Sequence, residues 1–497
     1  ICFPHQHQWR LSFRKDRFLY KRTCDLTGSD IIAMYPANSP YKVYQREAWL
    51  SDAWDPFSYG RPFDFSRPFF EQYADLQRVV PRMALVNVQA ENSDYCNSCV
   101  GNKNSYLIFG GDFNQDCLYG SLPMYSKNCV DCDWADHSEL CYFCANIERC
   151  YQCRFTFNSK GCADCAFVED YIGCTECILS FNLRNKSYTI ENVAYSKEEY
   201  FKKKAALGLE TAAGQQRLWE RFLKLRGQRA VKYGHILNSE RVSGDYLFNS
   251  KNCTNSFECV RSEDCREVIT AFSVKDCFNC DYLGDKSELS YNNVSTLGGY
   301  RTAFSYFTLD SSDVEYSELT QSSHYIFGCI GMTRQSYCIL NRRYGKEEFF
   351  ELRAQIIEHM KGATCPRPRR AARAPTQEWG RFFPKALSTF PYNESTASFF
   401  FPRTKAAALA EGFSWQDETT ESKEFKLVPQ EIRFYDQHGI PYPTAHSDDR
   451  YRQRLALRNP FTLWSRACAE CGAAFKTTYA TDRPERVLCE GCYWKNI

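Results

Sequence analysis

The chain has 497 residues, of which 43% are apolar, 16% aromatic and 25% charged. This length is too great for one hydrophobic core, so several folding units are expected. The net charge of only +2 excludes a uniformly basic nucleic-acid-binding protein.

Cysteine usage and hydropathy indicate the compartment. Thirteen of the 27 cysteines lie between Cys96 and Cys177. Paired cysteines in a large chain without a visible secretory signal favour thiol or metal chemistry over disulfides. No apolar run reaches the roughly 18 residues that cross a bilayer, so we expect a cytoplasmic protein with no membrane partner. The chain begins at Ile1 and not at Met, so we also expect residues upstream.

Charge is distributed unevenly along the chain. Residues 91–190 contain 13 acidic and seven basic residues, a net charge of −6, whereas residues 197–232 have a net charge of +6. Residues 1–46 and 450–497 each have a net charge of +5. These positive segments are suited to contact with a phosphate backbone.

The first segment resembles the last. Shifted by 444 positions without a gap, the two ends share ten identities: Arg10/Arg454, Leu11/Leu455, Arg14/Arg458, Leu19/Leu463, Arg22/Arg466, Cys24/Cys468, Gly28/Gly472, Tyr35/Tyr479, Pro40/Pro484 and Val43/Val487. Thr27, Gln45 and Ala48 stand where the C-terminal copy has its other three cysteines. We therefore predict a degenerate zinc-ribbon-like domain at 1–60, truncated at its start and followed by a helical connector at 61–84.

Residues 85–195 carry a cysteine repeat. One cysteine marks each repeat, and these marks are Cys117, Cys129, Cys141, Cys150, Cys162 and Cys174. Successive marks are 12, 12, 9, 12 and 12 residues apart. The residue before a mark is often Asn, Gly or Asp, which tolerate a left-handed backbone. Between the marks, apolar and polar residues alternate as in short strands. Short strands at a fixed small spacing predict a β-solenoid, first at 85–195.

A second β-solenoid is predicted at 235–344. Cys253, Cys265 and Cys277 are again twelve residues apart, and Leu289 continues their register. Both copies run into a helix: Ser196 and Glu199 form a capping-box pattern at the start of a basic helical linker at 196–234, and Gly345 begins a closing helix at 345–363. A Pro/Arg linker at 364–376 and an aromatic-rich segment at 377–449 follow. The predicted fold is mainly β, with two helix-closed β-solenoid modules flanked by zinc-ribbon-like domains.

The last segment, 450–497, is a predicted zinc ribbon. Cys468-Ala-Glu-Cys471 and Cys489-Glu-Gly-Cys492 are separated by seventeen residues. Two such knuckles on adjacent hairpins supply four thiolates in a tetrahedron, as one structural zinc ion requires. Because four thiolates leave no position for water, a catalytic zinc is not expected here.

The Cys-x-x-Cys pairs of the first solenoid have three open interpretations. They are packed as small apolar side chains, they form further zinc or iron–sulfur sites, or they carry out redox catalysis. Packing is favoured, because the second copy replaces many of these cysteines by Thr, Ser and Leu. The candidate extra ligands are Cys129, Cys132, Cys141, Cys144, Cys150, Cys153, Cys162, Cys165, Cys174 and Cys177.

The chain resembles a family of large proteins from candidate-phylum (Patescibacteria-type) bacteria that combine Cys-rich repeats with zinc ribbons. The resemblance covers nearly the whole chain through "YKRTCDLTG", "YGRPFDFSRPFFEQ", "YSKEEYF", "FPYNES" and the C-terminal "LRNPFTLWSRACAECG". It also implies metal-binding cysteines near residues 424–450, where this sequence has only His438 and His446. It implies an architecture and no mechanism.

The sequence thus predicts a non-catalytic zinc-binding scaffold, since no phosphate loop, Gly-x-Ser-x-Gly or His-Glu-x-x-His motif is present. Two partner classes remain open. The first is nucleic acid, RNA before DNA, bound by the basic ribbon ends and the helices. The other is a protein on the solenoid faces. The candidate nucleic-acid contacts are Arg466, Lys476, Arg483, Arg486, Trp464 and Tyr479, although the aromatic residues would also serve to pack the small ribbon core.

Overall fold

The computed structural model describes residues 2–362, 377–417 and 425–497. The predicted Pro/Arg linker at 364–376 lies outside these residues. About 31% of the structure is strand and 23% is helix, with many parallel strand pairs. The architecture is therefore mixed and not mainly β.

The helices of the described residues are mostly short. In chain order they are α1 (Phe3–Leu11), α2 (Arg46–Trp49), α3 (Phe69–Val79), α4 (Lys197–Leu207), α5 (Ala212–Arg226), α6 (Lys346–Met360), α7 (Ala397–Phe400), α8 (Lys405–Ala410), α9 (Pro429–His438), α10 (Ser447–Ala456) and α11 (Glu490–Lys495). Short 3-10 helices occur at Pro56–Tyr59, Lys385–Leu387 and Tyr392–Glu394.

The strands are also short. The first four are β1 (Tyr20–Thr23), β2 (Asp30–Ala33), β3 (Val43–Tyr44) and β4 (Arg82–Met83). They are followed by β5 (Asn87–Val88), β6 (Cys99–Val100), β7 (Val130–Asp136), β8 (Tyr142–Glu148), β9 (Arg154–Lys160), β10 (Ala166–Glu169), β11 (Thr175–Ile178), β12 (Ser187–Ile190), β13 (Val193–Ala194) and β14 (Ala230–Lys232).

The second half of the chain continues this pattern. Its strands are β15 (Ile236–Leu237), β16 (Gly244–Phe248), β17 (Ser256–Val260), β18 (Arg266–Phe272), β19 (Phe278–Gly284), β20 (Val294–Leu297), β21 (Tyr300–Ala303), β22 (Tyr306–Leu309), β23 (Ser312–Glu315), β24 (Glu318–Gln321), β25 (His324–Phe327), β26 (Ser336–Ile339), β27 (Arg342–Arg343), β28 (Trp464–Ala467), β29 (Ala474–Thr477) and β30 (Arg486–Leu488).

The chain divides into two compact units, each assembled from separated stretches. Unit 1 comprises Ile1–Leu85, Gly234–Asp417 and Phe461–Leu463, and unit 2 comprises Val86–Tyr233, Glu418–Pro460 and Trp464–Ile497. Unit 1 therefore contains the N-terminal ribbon-like segment and the second cysteine repeat. Unit 2 contains the first cysteine repeat and the C-terminal ribbon segment.

Ladder 1, the parallel pairing from Asn87 to Ile190 in unit 2, joins residues twelve positions apart. Strands β7 and β8 pair Val130 with Tyr142, and β8 and β9 pair Tyr142 with Arg154. From Ser98 to Glu191, every third residue has a positive φ. Each twelve-residue repeat therefore consists of four three-residue steps, and the left-handed backbone predicted before the cysteine marks is confirmed.

The step of nine in the cysteine series is not a short repeat. Pairing stays at twelve across it, because Glu139 pairs with Tyr151 and Tyr151 with Ala163. Cys141 and Cys150 instead occupy different steps of the repeat. The series therefore moves from one row of buried side chains to the neighbouring row.

Ladder 2, the parallel pairing from Ile236 to Ile339 in unit 1, has a less regular spacing. Most pairs are twelve apart, but Lys275 pairs with Glu288, thirteen positions away. The extra residue lies at Asp285 and Lys286, which both have positive φ. Leu289 is consequently 41% exposed while its neighbour Ser290 is 1% exposed. The prediction that Leu289 continues the cysteine register is therefore wrong by one residue.

Helices cover one side of each ladder. Ser196 caps α4, and its predicted capping box with Glu199 is confirmed. In unit 2, Phe222 of α5 stacks on Phe157 of ladder 1 with the ring centroids 5.7 Å apart. In unit 1, α3 buries aromatic side chains against ladder 2 in the same manner. This burial removes apolar surface from water and stabilises each unit.

Buried ion pairs attach α10 to ladder 1 within unit 2. Arg454 Nε lies 2.5 Å from Asp133 Oδ2, and its Nη1 lies 2.8 Å from Asp131 Oδ1. Arg450 joins Asp131 to Glu431 at 2.8 and 3.0 Å. All five side chains are at most 3% exposed. Burial disfavours the Arg454 charge, but the two aspartates outweigh it and raise the pKa of the guanidinium.

Unit 1 repeats this arrangement between α1 and ladder 2. Arg10, which aligns with Arg454, places Nε 2.5 Å from Asp281 Oδ2 and donates from Nη1 to Asn279 Oδ1 at 2.7 Å. Burial alone would raise the pKa of Asp281, but Arg10 and His7 hold it below its usual value. The 444-residue offset therefore relates two equivalent helix-to-ladder attachments.

A second arginine in each copy stacks on an aromatic ring. Arg458 Cζ lies 3.8 Å from the Trp134 ring centroid, and Arg14 Cζ lies 3.9 Å from that of Tyr282. Trp134 directly follows Asp133, and Tyr282 directly follows Asp281. One arginine therefore pairs with the carboxylate while the arginine four positions later covers the adjacent ring.

Loss of this attachment is expected to destabilise unit 2. Arg454→Met leaves Asp131 and Asp133 buried with fewer partners, which should lower the free energy of unfolding by about 3–5 kcal/mol. Arg452 is the matched control, because it lies on the same helix, is 47% exposed and pairs with the exposed Asp449 at 3.0 Å. Arg452→Met should cost less than about 1 kcal/mol. Urea unfolding of the full chain compares the two variants, and equal losses would contradict this account.

Candidate metal centre

The four C-terminal cysteines converge. Cys468 and Cys471 lie in the turn of the β28–β29 hairpin, Cys489 follows β30, and Cys492 lies in the first turn of α11. Their Sγ atoms all lie within 4.8 Å of one another, and those of Cys471 and Cys489 are 3.6 Å apart. The second knuckle thus joins a strand to a helix and not two strands of a hairpin.

Backbone amides favour the thiolate of Cys468, whereas burial and the neighbouring thiols raise the pKa of Cys492 to about 12. Burial tends to raise the pKa of Cys468, but amide donors that include the N–H of Cys489, 3.3 Å from its Sγ, bring the pKa down to about 6. Four soft sulfur donors in one shell fit a tetrahedral zinc ion. Cys468 and Cys492 are buried whereas Cys471 is exposed, so the cluster lies at the surface of unit 2.

The cluster is connected to the strand that precedes ladder 2 in the chain. Strand β30 pairs in parallel with β14, with Val487 opposite Val231. At the other end of this contact, Lys232 Nζ lies 2.8 Å from Glu490 Oε1 in the first turn of α11. Tyr493 donates from its hydroxyl to Asn182 of ladder 1 at 3.4 Å. A metal that orders the two knuckles would therefore also hold α11 against unit 2.

The N-terminal hairpin has the same backbone arrangement but only one of the four cysteines, Cys24. Tyr20 pairs with Ala33 in β1 and β2, and Trp464 pairs with Thr477 in β28 and β29, which is the identical register after the 444-residue shift. The Cys24 Sγ accepts a hydrogen bond from the backbone N–H of Gln45 at 3.2 Å. The equivalent bond in the C-terminal copy runs from the backbone N–H of Cys489 to the Cys468 Sγ.

A polar network stands where the N-terminal copy would bind its metal. Thr27 Oγ1 lies 2.8 Å from Ser29 Oγ, and Ser29 donates to Gln45 Oε1 at 3.3 Å. Asp25 accepts from the Val43 amide at 2.7 Å, which joins the knuckle to β3. Hydrogen bonds thus connect the two knuckle positions that a metal would connect.

The cysteines of ladder 1 are placed differently from those of the ribbon. Cys129 donates to the carbonyl oxygens of Lys127 and Ser138, both at 3.4 Å. Ser126, in the neighbouring row, makes the same two bonds with its hydroxyl, to Met124 and Ala135 at 3.1 Å. Cysteine and serine are therefore interchangeable donors inside the ladder, which explains the Ser and Thr of the second copy.

Among the described residues, the ten candidate extra ligands do not form a group of three or more that is placed to hold a metal. Burial raises the pKa of Cys132 and Cys144 well above the usual value for a thiol, whereas hydrogen bonds with Cys150 and Cys165 lower the pKa of Cys162 to about 4. Within the three described stretches of the chain, the C-terminal cluster is the only group of three or more side chains placed to hold a metal. The interpretation that the Cys-x-x-Cys pairs form further zinc or iron–sulfur sites is thus not supported by the positions of the described cysteines.

The candidate nucleic-acid residues mostly have partners within unit 2. Arg466 donates to the carbonyl of Ala480 at 3.0 Å, and Arg483 donates to the Glu485 carboxylate at 3.0 Å. Tyr479 is 3% exposed, so its ring faces are not accessible to a base.

The three remaining candidates lie closer to solvent. Arg486 lies 3.3 Å from Glu470, and Lys476 donates to Ser465 at 2.7 Å. Trp464 is half-buried on β28. Arg483 and Arg486 are therefore paired with carboxylates of the same unit, whereas Arg466 and Lys476 donate to uncharged oxygen atoms.

Sequence reasoning missed the buried arginine attachments. The signal was present, because Arg10/Arg454 and Arg14/Arg458 were among the ten identities at the 444-residue offset. Nothing local distinguished these arginines from solvent-exposed ones, and their aspartate partners lie about 270 to 320 positions away.

Comparison with known proteins identifies neither a family nor a fold for this chain. No family model and no curated protein matches the chain. A crystal structure described as "putative acetyltransferase from Desulfovibrio desulfuricans G20" aligns over 46% of this chain and 67% of its own at 11% identity, with a TM-score of 0.11. That score is too low to support a shared fold. Among the helices of the described residues, none combines the length and apolar character that a membrane span needs.

A second metal site should be recoverable in the N-terminal hairpin. We expect Thr27→Cys, Gln45→Cys and Ala48→Cys together, with Cys24, to raise the metal content by one ion per chain, because the backbone register matches that of the C-terminal hairpin. The control changes the same three residues to Ser. Equal metal content in the two triple variants, measured by elemental analysis, would contradict the structural equivalence of the hairpins.

Proposed function

We propose that the protein is a non-catalytic scaffold that holds one structural zinc ion at its C-terminal ribbon. The observation that carries this proposal is the convergence of Cys468, Cys471, Cys489 and Cys492 within 4.8 Å. Four thiolates complete a tetrahedral zinc shell and leave no position for a reacting water. The zinc would then contribute folding energy to the ribbon and not chemistry.

We propose in addition that ladders 1 and 2 are β-solenoids and serve as the interaction faces of the scaffold. Pairing at twelve residues throughout ladder 1 and in most of ladder 2, with a left-handed residue at nearly every third position, supports one turn per repeat. Repeat architectures offer long regular faces to partner proteins. A protein partner is favoured over nucleic acid because the ribbon arginines already have partners and ladder 1 lies in the acidic part of the chain.

Metal content tests the zinc assignment. Purified full-length chain should contain one zinc per molecule, and Cys471→Ser should lose it, because three thiolates bind zinc far more weakly than four. Cys141→Ser is the matched control, since a buried hydroxyl can make the same hydrogen bonds in ladder 1, and it should retain the ion. Three or more zinc ions per chain, or full zinc in Cys471→Ser, would overturn the assignment.

Gel shifts with single-stranded RNA and duplex DNA test the choice of partner. We expect no retardation even at low salt, because the basic ribbon side chains are engaged within the chain. Salt-dependent binding that disappears in Arg466→Ala with Arg483→Ala would establish the nucleic-acid function instead.

A further inference from the structure

Ladder 2 carries a row of apolar residues on an outward face, one from each of five successive repeats. The row is called the apolar stripe and consists of Val260, Phe272, Gly284, Leu297 and Leu309. Parallel pairing of β17, β18, β19, β20 and β22 brings these residues side by side. Leu297 is 40% exposed, and Val260, Phe272 and Leu309 are half-buried. Because neighbouring strands lie about 4.8 Å apart, the apolar stripe is roughly 19 Å long.

The equivalent row of ladder 1 is polar. The two ladders align at the aspartates of the arginine attachments, which places Leu297 and Leu309 opposite Glu148 and Lys160. In ladder 1 these two side chains form an ion pair at 2.8 Å. The same outward face is therefore charged in one ladder and apolar in the other. Single exposed apolar residues are common, but a continuous row of them indicates a contact surface.

A second row, one residue after the apolar stripe, carries charges. In chain order it consists of Arg261, Ser273, Asp285 with Lys286, Gly298 and Asp310. All four charged side chains are exposed. Arg261 donates to the hydroxyl of Ser273 at 3.1 Å. In the part of the chain that the structure describes, none of the four charged groups has an ion-pair partner.

The order of these charges is self-complementary. A two-fold axis that runs parallel to the strands at Gly284 reverses the apolar stripe and keeps the charged row on the same side. Arg261 and Asp310 each lie two repeats from Gly284, so Arg261 then faces the partner's Asp310. At the axis, Asp285 faces the partner's Lys286. Gly284 has no side chain to separate the two stripes at their centre.

We propose that the apolar stripe is an isologous dimer interface, in which ladder 2 of one chain packs face to face on ladder 2 of a second copy. This inference rests on the proposed scaffold role of the ladders and names a second copy of the chain as the partner of ladder 2. The apolar side chains supply buried area, and the charge order selects the antiparallel arrangement of the two stripes. Because the stripe is short, we expect a dissociation constant on the order of 10 μM.

Sedimentation velocity of the zinc-loaded full-length chain tests the dimer. Over concentrations from about 1 to 100 μM, the chain should convert from monomer to dimer. Leu297→Glu with Leu309→Lys installs the ion pair that ladder 1 carries at this position, so this variant should fold. It should weaken dimerisation by at least about tenfold.

The matched control changes an exposed leucine in a different row of ladder 2. Leu289 is 41% exposed, and its backbone N–H bonds to Lys275 as that of Asp276 bonds to Glu263 in the preceding repeat. Leu289→Asp therefore installs the residue that the preceding repeat carries at this position. Its dimerisation should stay within about twofold of that of the unaltered chain.

Charge reversal tests the two-fold arrangement. Arg261→Asp places like charges opposite each other, and Asp310→Arg does the same, so each should weaken dimerisation by about fivefold. The two changes together restore opposite charges at both contacts. The combined variant should return to within about twofold of the unaltered chain.

Several results would overturn the dimer interface. They are a monomer at every concentration, equal weakening by Leu289→Asp and by the stripe variant, or no recovery in the combined charge reversal. Binding of another protein to the apolar stripe of a monomeric chain would likewise assign it to a different occupant. Zinc is measured on the same samples. One zinc per chain in a monomer overturns the interface alone, whereas a dimer without zinc overturns the zinc-binding scaffold and leaves the interface standing.

Discussion

The three-residue step of the ladders is the constraint on which the rest of the structure depends. In each step the first residue has a left-handed backbone and turns the chain. The side chain of the second residue is buried, and the third residue pairs with the residue twelve positions later. Left-handed backbone is unfavourable for bulky side chains, yet Phe143, Phe155 and Phe167 adopt it. The regular hydrogen bonding between repeats and the packing of these rings under α5 offset that cost.

The same step explains how so many cysteines are accommodated inside the ladders. The buried position of each step favours a small side chain that can donate to the carbonyl oxygens around it, and both a thiol and a hydroxyl do so. In the ribbon, the cysteines instead occupy two turns whose amides point at the sulfur atoms. Identical Cys-x-x-Cys spacing therefore serves packing in one part of the chain and a ligand shell in another.

The two units share the same construction but differ in how their hairpin turns are held together. In each unit a ribbon-like hairpin follows a helix whose arginine is paired with an aspartate of a ladder. The C-terminal hairpin has four ligands for a metal, whereas the N-terminal one joins its turns through Thr27, Ser29 and Gln45. The arginine–aspartate pair is present in both units, whereas all four cysteines are present only in the C-terminal hairpin. Because an unpaired buried carboxylate is costly, loss of the arginine would be harder to tolerate than loss of a surface metal.

The sequence by itself determined the repeat length, the two related ends, the capping box at Ser196 and the four C-terminal cysteines that could hold a metal. Each of these depends on spacing within a few tens of residues or on direct comparison of two segments. The sequence did not determine which row of the ladder a cysteine occupies, since Cys150 lies in the row next to that of Cys141. It also did not show that Tyr479 and Arg454 are buried. Those properties depend on which distant segments meet: Arg454 and Asp133 are 321 positions apart. Only the tertiary structure decided them, because burial and ion pairing follow from packing between separated segments and leave no periodic trace in the chain.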